Sequence, residues 1–145
     1  MKTGLLVVAA GVVAVTAGCS SAAEQQPLPE GALVAGTAKI TVNDNKLDEV
    51  KSVQCVIAGP VTTITTGDDN SGSTAVVSNA DGLTAQSVSI RDLGGFTGSY
   101  NQGFGNDADV RMTGSTYTIS GTADGFETDK PSFRTNGTFS ITVAC

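Results

Sequence analysis

The chain of 145 residues contains no histidine, and only 5% of its residues are aromatic. Without histidine, neither a Ser-His-Asp nor a Cys-His catalytic arrangement can be built. The usual general base at neutral pH is therefore also missing. The scarcity of aromatic side chains leaves little material to enclose an apolar cavity of several hundred Å³, the size that a bound lipid requires.

Basic residues are also few: 8 Lys and Arg stand against 14 Asp and Glu, for a formal net charge of −6. Proteins that bind nucleic acid neutralise its phosphates with clustered Lys and Arg, so we expect no nucleic-acid partner. A polybasic contact with a membrane is disfavoured for the same reason. The acidic residues are scattered beside Asn, Gly and Ser, as is typical of a soluble surface.

The apolar run near the amino terminus is too short to span a membrane, which takes about 20 residues. It extends from Leu5 to Ala17 behind Lys2 and fits the apolar segment of a secretory signal, about 7–15 residues long. It ends in Thr16-Ala17-Gly18-Cys19, which resembles a bacterial lipobox, although Thr16 replaces the usual large aliphatic residue. We therefore expect residues 1–18 to be a signal peptide that is removed.

A lipobox predicts a covalent acyl or diacylglycerol lipid on the sulfur of Cys19, and we expect no other cofactor. The lipid would anchor the protein to the extracytoplasmic face of the cell membrane, within the cell envelope. The alternative is an ordinary cleaved signal with Cys19 nearby by chance.

Only three cysteines are present, an odd number that would leave one unpaired in an exported protein. If Cys19 carries lipid, Cys55 and Cys145 remain, and export places them where disulfides persist. Both alternate with apolar neighbours, so we expect their sulfurs to point inward and a bridge across the core. Two buried free thiols are the alternative. No metal site is expected, because there is no histidine and no closely spaced cysteine pair.

Residues 19–37 are predicted to form a flexible tether, because Pro27 and Pro29 break regular structure and small or polar residues surround them. A flexible segment of this length has an end-to-end distance on the order of 20–25 Å. The tether would hold a folded domain, residues 38–145, clear of the membrane.

Residues 38–145 show the period-two alternation of β-strands. No segment sustains a helical period, and 18 glycines weigh against one. Turn signals such as Asn79-Ala80-Asp81-Gly82 separate about eight short strands, which predicts an all-β fold, a small antiparallel β-sandwich or open barrel. Three apolar faces carry this prediction: Ala38, Ile40 and Val42; Val53, Cys55 and Ile57; Phe139, Ile141 and Val143.

Aromatic residues and glycines concentrate between Gly94 and Gly105. Phe96, Tyr100 and Phe104 could contact a sugar or an acyl chain, and they are the ligand contacts that the sequence offers. A structural role explains the segment better, because Phe96 and Tyr100 share one face of a predicted strand and would lie in the core.

The candidates for hydrolase chemistry are four carboxylates: Asp68, Asp69, Asp107 and Asp109. They lie in Gly- and Asn-rich turns with nothing apolar nearby to raise a pKa, so no catalytic residue is assigned. Asn106 to Asp109 offers oxygens for a weak calcium site but lacks the full loop pattern. Asn136-Gly137-Thr138 fits a glycosylation triplet, and a tight turn is the preferred interpretation.

The order of strands and cysteines resembles that of the mycobacterial nineteen-kilodalton lipoprotein antigen family. The likeness is carried by residues 114–125 (GSTYTISGTADG) and 139–145 (FSITVAC). Residues 39–42 (KITV), followed by Val53-Gln54-Cys55, fit the first strands and first mature cysteine of that family. With the segment at Cys19, the likeness spans most of the chain.

This resemblance implies a small β-rich surface lipoprotein that is anchored through Cys19, has Cys55 bridged to Cys145 and is not an enzyme. It also implies that Toll-like receptors of a host recognise the acylated terminus. Members often carry a Thr-rich, glycosylated tether, whereas this tether has only Ser20, Ser21 and Thr37 as hydroxyl residues.

Three functions remain open at this point. The preferred one is an envelope-displayed protein whose β domain binds a protein or glycan. The second is a carrier of lipid or glycolipid, and the third is a hydrolase. The sequence sets neither the ligand nor the oligomeric state.

Overall fold

The computed structural model describes residues 26–145, which form ten β-strands, where about eight were predicted. The predicted signal peptide and Cys19 lie outside the described residues. In the part of the chain that is described, no helix has the length and apolar character needed to cross a membrane. The strands are β1 (Ala38–Val42), β2 (Asn45–Lys46), β3 (Val53–Ala58), β4 (Val61–Gly67), β5 (Gly72–Ser78), β6 (Thr84–Leu93), β7 (Phe96–Asn101), β8 (Ala108–Thr113), β9 (Thr116–Glu127) and β10 (Arg134–Ala144).

All the strands belong to one antiparallel sheet, in the order β2-β1-β10-β9-β7-β6-β5-β4-β3, with β8 paired to the first half of β9. The sheet curls into a half-barrel, so the all-β prediction is confirmed and the open barrel is the form it takes. We call the end at Ala144, where β9 begins and β10 finishes, the tether end. The opposite end, at Arg134 and Phe126, is the far end.

The concave face of the half-barrel holds the core, because alternate residues of each strand point to it. Ala38, Ile40 and Val42 are each at most 2% exposed, which confirms the pattern predicted for β1. The predicted hairpin at Asn79–Gly82 joins β5 to β6, and Gly82 supplies the positive φ of +98° that the connection requires.

β9 and β10 are longer than predicted, because strand structure continues through glycines. A Cβ on Gly125 would overlap the backbone of Thr97 on β7, and a Cβ on Gly121 would lie 2.5 Å from the carbonyl oxygen of Asp107. The glycines therefore permit close approach of neighbouring strands. The tight turn expected at residues 136–138 is wrong, since these residues pair with β9 inside β10.

The segment before β1 is joined to the sheet by hydrogen bonds. The amide of Gly36 donates to the carbonyl of Ala144 at 2.9 Å, and the amide of Leu33 donates to Thr116 Oγ1 at 3.0 Å. The amide of Ala144 donates in turn to the carbonyl of Thr37 at 3.0 Å. Contact with the sheet therefore extends upstream of the boundary expected at Ala38, to Leu33.

Candidate functional site

A disulfide joins Cys55 on β3 to Cys145, the residue after β10, with a Cα–Cα distance of 5.9 Å. The sequence predicted a bridge across the core, and the bridge lies instead at the rim of the half-barrel. Cys55 is half-buried and Cys145 is exposed. β3 is the last strand of the sheet and is less covered than the inner strands: Val53 and Cys55 pack against the core but are only partly buried, and Ile57 is 73% exposed.

The bridge acts together with a short backbone contact to bring the two borders of the curled sheet together. Ala38 of β1 and Val50, which precedes β3, exchange two backbone hydrogen bonds of 2.8 Å. β1 and β3 are far apart in the strand order. The Cys55–Cys145 disulfide and the Ala38–Val50 hydrogen bonds hold β3 close to the ends of β1 and β10 at the tether end.

The three aromatic residues proposed from the sequence as ligand contacts differ in burial: two are buried and one is exposed. Phe96 and Tyr100 are 0% and 5% exposed and belong to the core, which confirms the structural interpretation and removes both as ligand contacts. Burial raises the pKa of the Tyr100 phenol above its usual 10.0, and the negative charges of Asp107 and Asp109 raise it further. Phe104 is 82% exposed and remains available.

Phe104 borders a shallow pocket of about 220 Å³ on the outer face of the sheet. The pocket is formed by the β7–β8 connection together with adjacent positions of β7, β9 and β10. Ser99 and Asp124 are direct partners across β7 and β9. The other polar residues that line it are Asn101, Asn106 and Arg134.

An exposed phenyl ring beside amide, carboxylate and guanidinium groups can take a ligand that offers one apolar face and several hydroxyls. Sequence reasoning found Phe104 and missed Asp124 and Arg134. They reach the pocket only through the pairing of β7 with β9 and of β9 with β10, which connects residues distant along the chain. No local signal marks them.

The four carboxylates weighed for hydrolysis are not brought together. Asp68 and Asp69 lie in the β4–β5 connection at the far end, whereas Asp107 and Asp109 flank Ala108, the first residue of β8. Among residues 26–145 no group of three or more Asp, Glu, His or Cys side chains could hold a metal ion.

The Asp68 carboxylate has a structural partner instead. It accepts the amides of Ser71 and Asn70, at 2.9 and 2.8 Å, and these two bonds lower its pKa below the usual 3.8. A general acid needs a raised pKa, so the lowered pKa of Asp68 does not suit that role. Its two hydrogen bonds to backbone amides fix the turn between β4 and β5 instead.

A second pocket, of about 430 Å³, lies where the segment before β1 meets the tether end. Its lining is mostly apolar, and all of its residues are exposed: Gln26, Pro27, Leu28, Val34 and Ala35. It is a surface depression at the tether end, separate from the Phe104 pocket.

Relatives of the chain are mycobacterial lipoproteins. A protein of Mycobacterium indicus pranii, whose name describes it as a lipoprotein, is 42% identical over 139 residues, covering 95% of this chain and 96% of its own. The lipoprotein LpqH of Mycobacterium tuberculosis is 31% identical over 158 residues, covering 100% of this chain and 99% of its own. LpqH of Mycobacterium avium is 30% identical over 146 residues, covering 92% and 90%.

The profile of one family matches residues 31–145. The match begins two residues before Leu33, which bonds to Thr116 of β9, and it ends at Cys145 of the disulfide. That family is described as the Mycobacterium 19 kDa lipoprotein antigen. The match covers the whole half-barrel together with both disulfide cysteines, as the resemblance in strand order had indicated. The chain therefore belongs to the Mycobacterium 19 kDa lipoprotein antigen family.

Proposed function

We propose that the protein is a lipid-anchored lipoprotein of the cell envelope, which displays its half-barrel domain on the extracytoplasmic side for interaction. The observation that carries the proposal is the lipobox-like Thr16–Cys19 segment ahead of a domain that belongs to a lipoprotein family. Acyl chains on Cys19 would supply the attachment, since stable anchoring takes two such lipid signals.

The geometry of the domain supports display. The segment that leads from Cys19 joins the half-barrel at the tether end, through Leu33 and Gly36. β10 connects the two ends of the half-barrel, from Arg134 at the far end to Ala144 at the tether end, and a strand of this length spans about 33 Å. The far end is therefore the part of the domain that is carried farthest from the anchor.

The anchor is tested by Cys19→Ala in the full chain, with Ser20→Ala as the matched control at the neighbouring residue. Cys19→Ala should move the protein from the membrane fraction to the soluble fraction, and Ser20→Ala should leave it in the membrane fraction. Retention of the Cys19→Ala protein in membranes would contradict the proposal.

The acylated terminus is the part of the molecule that host Toll-like receptors would recognise, as the resemblance implied. Signalling by receptor-bearing reporter cells should require Cys19 and should survive heat unfolding of the half-barrel, because the lipid and its first residues would carry recognition. Equal signalling from the Cys19→Ala protein would count against this part of the proposal.

The interaction site that the geometry of the domain supports best is the Phe104 pocket, and the ligand that fits it is a glycan. The exposed ring offers a stacking surface, and Asp124 and Arg134 offer hydrogen bonds to hydroxyl groups. Phe104→Ala should abolish retention on immobilised envelope glycans and leave the melting temperature unchanged. Met112→Ala, which removes another exposed apolar side chain outside the pocket, is the control.

The alternative of a lipid carrier has one supporting observation, the apolar depression at Leu28 and Val34. A carrier buries most of its ligand, and these side chains are 53% and 63% exposed. The interior of the half-barrel is filled by side chains such as Phe96 and Ile119, both 0% exposed. Native mass spectrometry of the purified protein would favour the carrier if a non-covalent lipid remained bound.

A further inference from the structure

Exposed apolar side chains are unevenly distributed over the half-barrel. Among residues 26–145, seven large apolar side chains are exposed. Phe104 and Phe133 lie in connections away from the tether end. The other five gather at the tether end: Leu28, Val34, Val56, Ile57 and Met112.

Strand register places these residues. Ile57 lies next to Ala58, which pairs with Val61 at the β3–β4 turn. Because the strands from β3 to β7 and then β9 are paired antiparallel in sequence, this turn lies at the same end of the sheet as the start of β9, which is the tether end. Met112 pairs with Tyr117, which in turn pairs with Val143 near the end of β10. Leu28 and Val34 line the depression where the segment before β1 joins the sheet.

Charged side chains lie at both ends of the half-barrel. The connections at the far end carry four exposed carboxylates, namely Asp44, Asp68, Asp69 and Asp129. The connections at residues 59–60, 79–83 and 114–115 of the tether end carry only Asp81, but Asp48, Glu49 and Lys51 are exposed around Val50, which bonds to Ala38 at the same end. What distinguishes the tether end is therefore its exposed apolar side chains.

The tether end is also the part of the domain nearest to the proposed anchor. Hydrogen bonds hold Leu33 and Gly36 to β9 and β10, so only the chain from Cys19 to Leu33 separates the lipid from the domain. Even fully extended, a stretch of this length spans at most about 50 Å. A site held so close to the bilayer meets it at a high effective concentration, and a weak contact is then enough.

We propose that the tether end lies against the surface of the lipid bilayer, with the five exposed apolar side chains in its interfacial region. This inference rests on the proposed anchoring through Cys19. Exposed apolar side chains favour the headgroup boundary of a bilayer. The domain therefore stands on the membrane with its far end outward, and is not held clear of it as the predicted tether length suggested.

The test uses the full acylated chain, reconstituted into vesicles of phosphatidylcholine and phosphatidylglycerol that contain a lipid with a quencher on its acyl chain. The protein has no tryptophan, so one introduced indole reports from one place. Ile57→Trp puts the indole at the tether end, and Phe133→Trp is the matched control, since both side chains are 73% exposed. Met112→Trp is a second probe at the tether end.

The indoles at positions 57 and 112 should lose emission and shift to shorter wavelength in the quencher-containing vesicles, and the indole at position 133 should do neither. Protein that floats with the vesicles while the indoles at 57 and 112 stay unquenched would overturn this inference and leave the anchor standing. Equal quenching at 57 and 133 would overturn the orientation. Failure to float would overturn the anchor and the inference together.

A second copy of the chain is the other occupant that could cover the tether end. It would shift the emission at position 57 in proportion to the density of protein on the vesicle, without quenching by the lipid. That result would also overturn the membrane contact.

Discussion

The ring of Phe96 fills the space in which a side chain at Gly137 would lie. A Cβ built on Gly137 would be 2.7 Å from the Phe96 Cζ atom, and one built on Gly98 would be equally close to the same ring. Phe96 is 0% exposed, so the ring lies wholly within the core. β7, β9 and β10 approach each other around this ring because two of the facing positions have no side chain.

Gly137→Ala should therefore destabilise the domain, although alanine ordinarily suits a strand better than glycine. Overpacking of a filled core costs about 1–3 kcal/mol, and the melting temperature should fall by several degrees. Thr135→Ala, at an exposed position of the same strand, is the control and should change stability by less than about 0.5 kcal/mol. A Gly137→Ala protein as stable as the control would show that the Phe96 ring can shift.

Loss of the disulfide should have a larger effect. Cys55 and Cys145 are 90 residues apart, and closing a loop of this size contributes about 4–5 kcal/mol by restricting the unfolded chain. Cys55→Ser should lower the melting temperature by at least about 10 °C. Cys145→Ser should have the same effect, and the double variant should add little, because either change removes the same bond. An unaltered melting temperature in the single variants would contradict a stabilising role.

The hydrogen bonds of Asp68 should make the free energy of unfolding decrease as the pH falls into the acid range. The amides of Ser71 and Asn70 lower the pKa of Asp68 in the folded protein below 3.8. A lowered folded-state pKa contributes stability that is present above the unfolded-state value and lost as the pH falls through the folded-state value. Asp68→Asn should thus be less stable than the parent at pH 7 and equal to it below the lowered pKa.

Thermal unfolding at several pH values measures this difference. Asp69→Asn is the matched control, since it removes the same charge from the same connection and leaves both hydrogen bonds of Asp68 in place. A parallel pH dependence in the parent and in Asp68→Asn would contradict the assigned role of the turn.

Much of the half-barrel follows from local sequence. The alternation of Ala38, Ile40 and Val42, and the shared face of Phe96 and Tyr100, depend only on the period of a strand, and all five side chains are buried. The Asn43-Asp44 turn takes positive φ at both residues, 49° and 65°, as short hairpins require.

Features that depend on the position of a strand within the sheet could not be predicted from the sequence. Cys55 and Ile57 show the same alternation as residues of the core, and they are partly or largely exposed because β3 is an edge strand. The run through Gly121, Gly125 and Gly137 looks like a series of turns, and only the close approach of β8, β7 and Phe96 explains glycine there. Arg134 joins Phe104 in one pocket through pairings across three strands.

The mass of the intact protein extracted from the cell envelope shows whether Cys19 is the acylated first residue of the mature chain. We expect a chain that begins at Cys19 and carries acyl chains there, with a mass that rises by a pair of hydrogen atoms when the Cys55–Cys145 bridge is reduced. A chain that keeps residues 1–18, or one that begins beyond Cys19 and carries no lipid, would contradict the account.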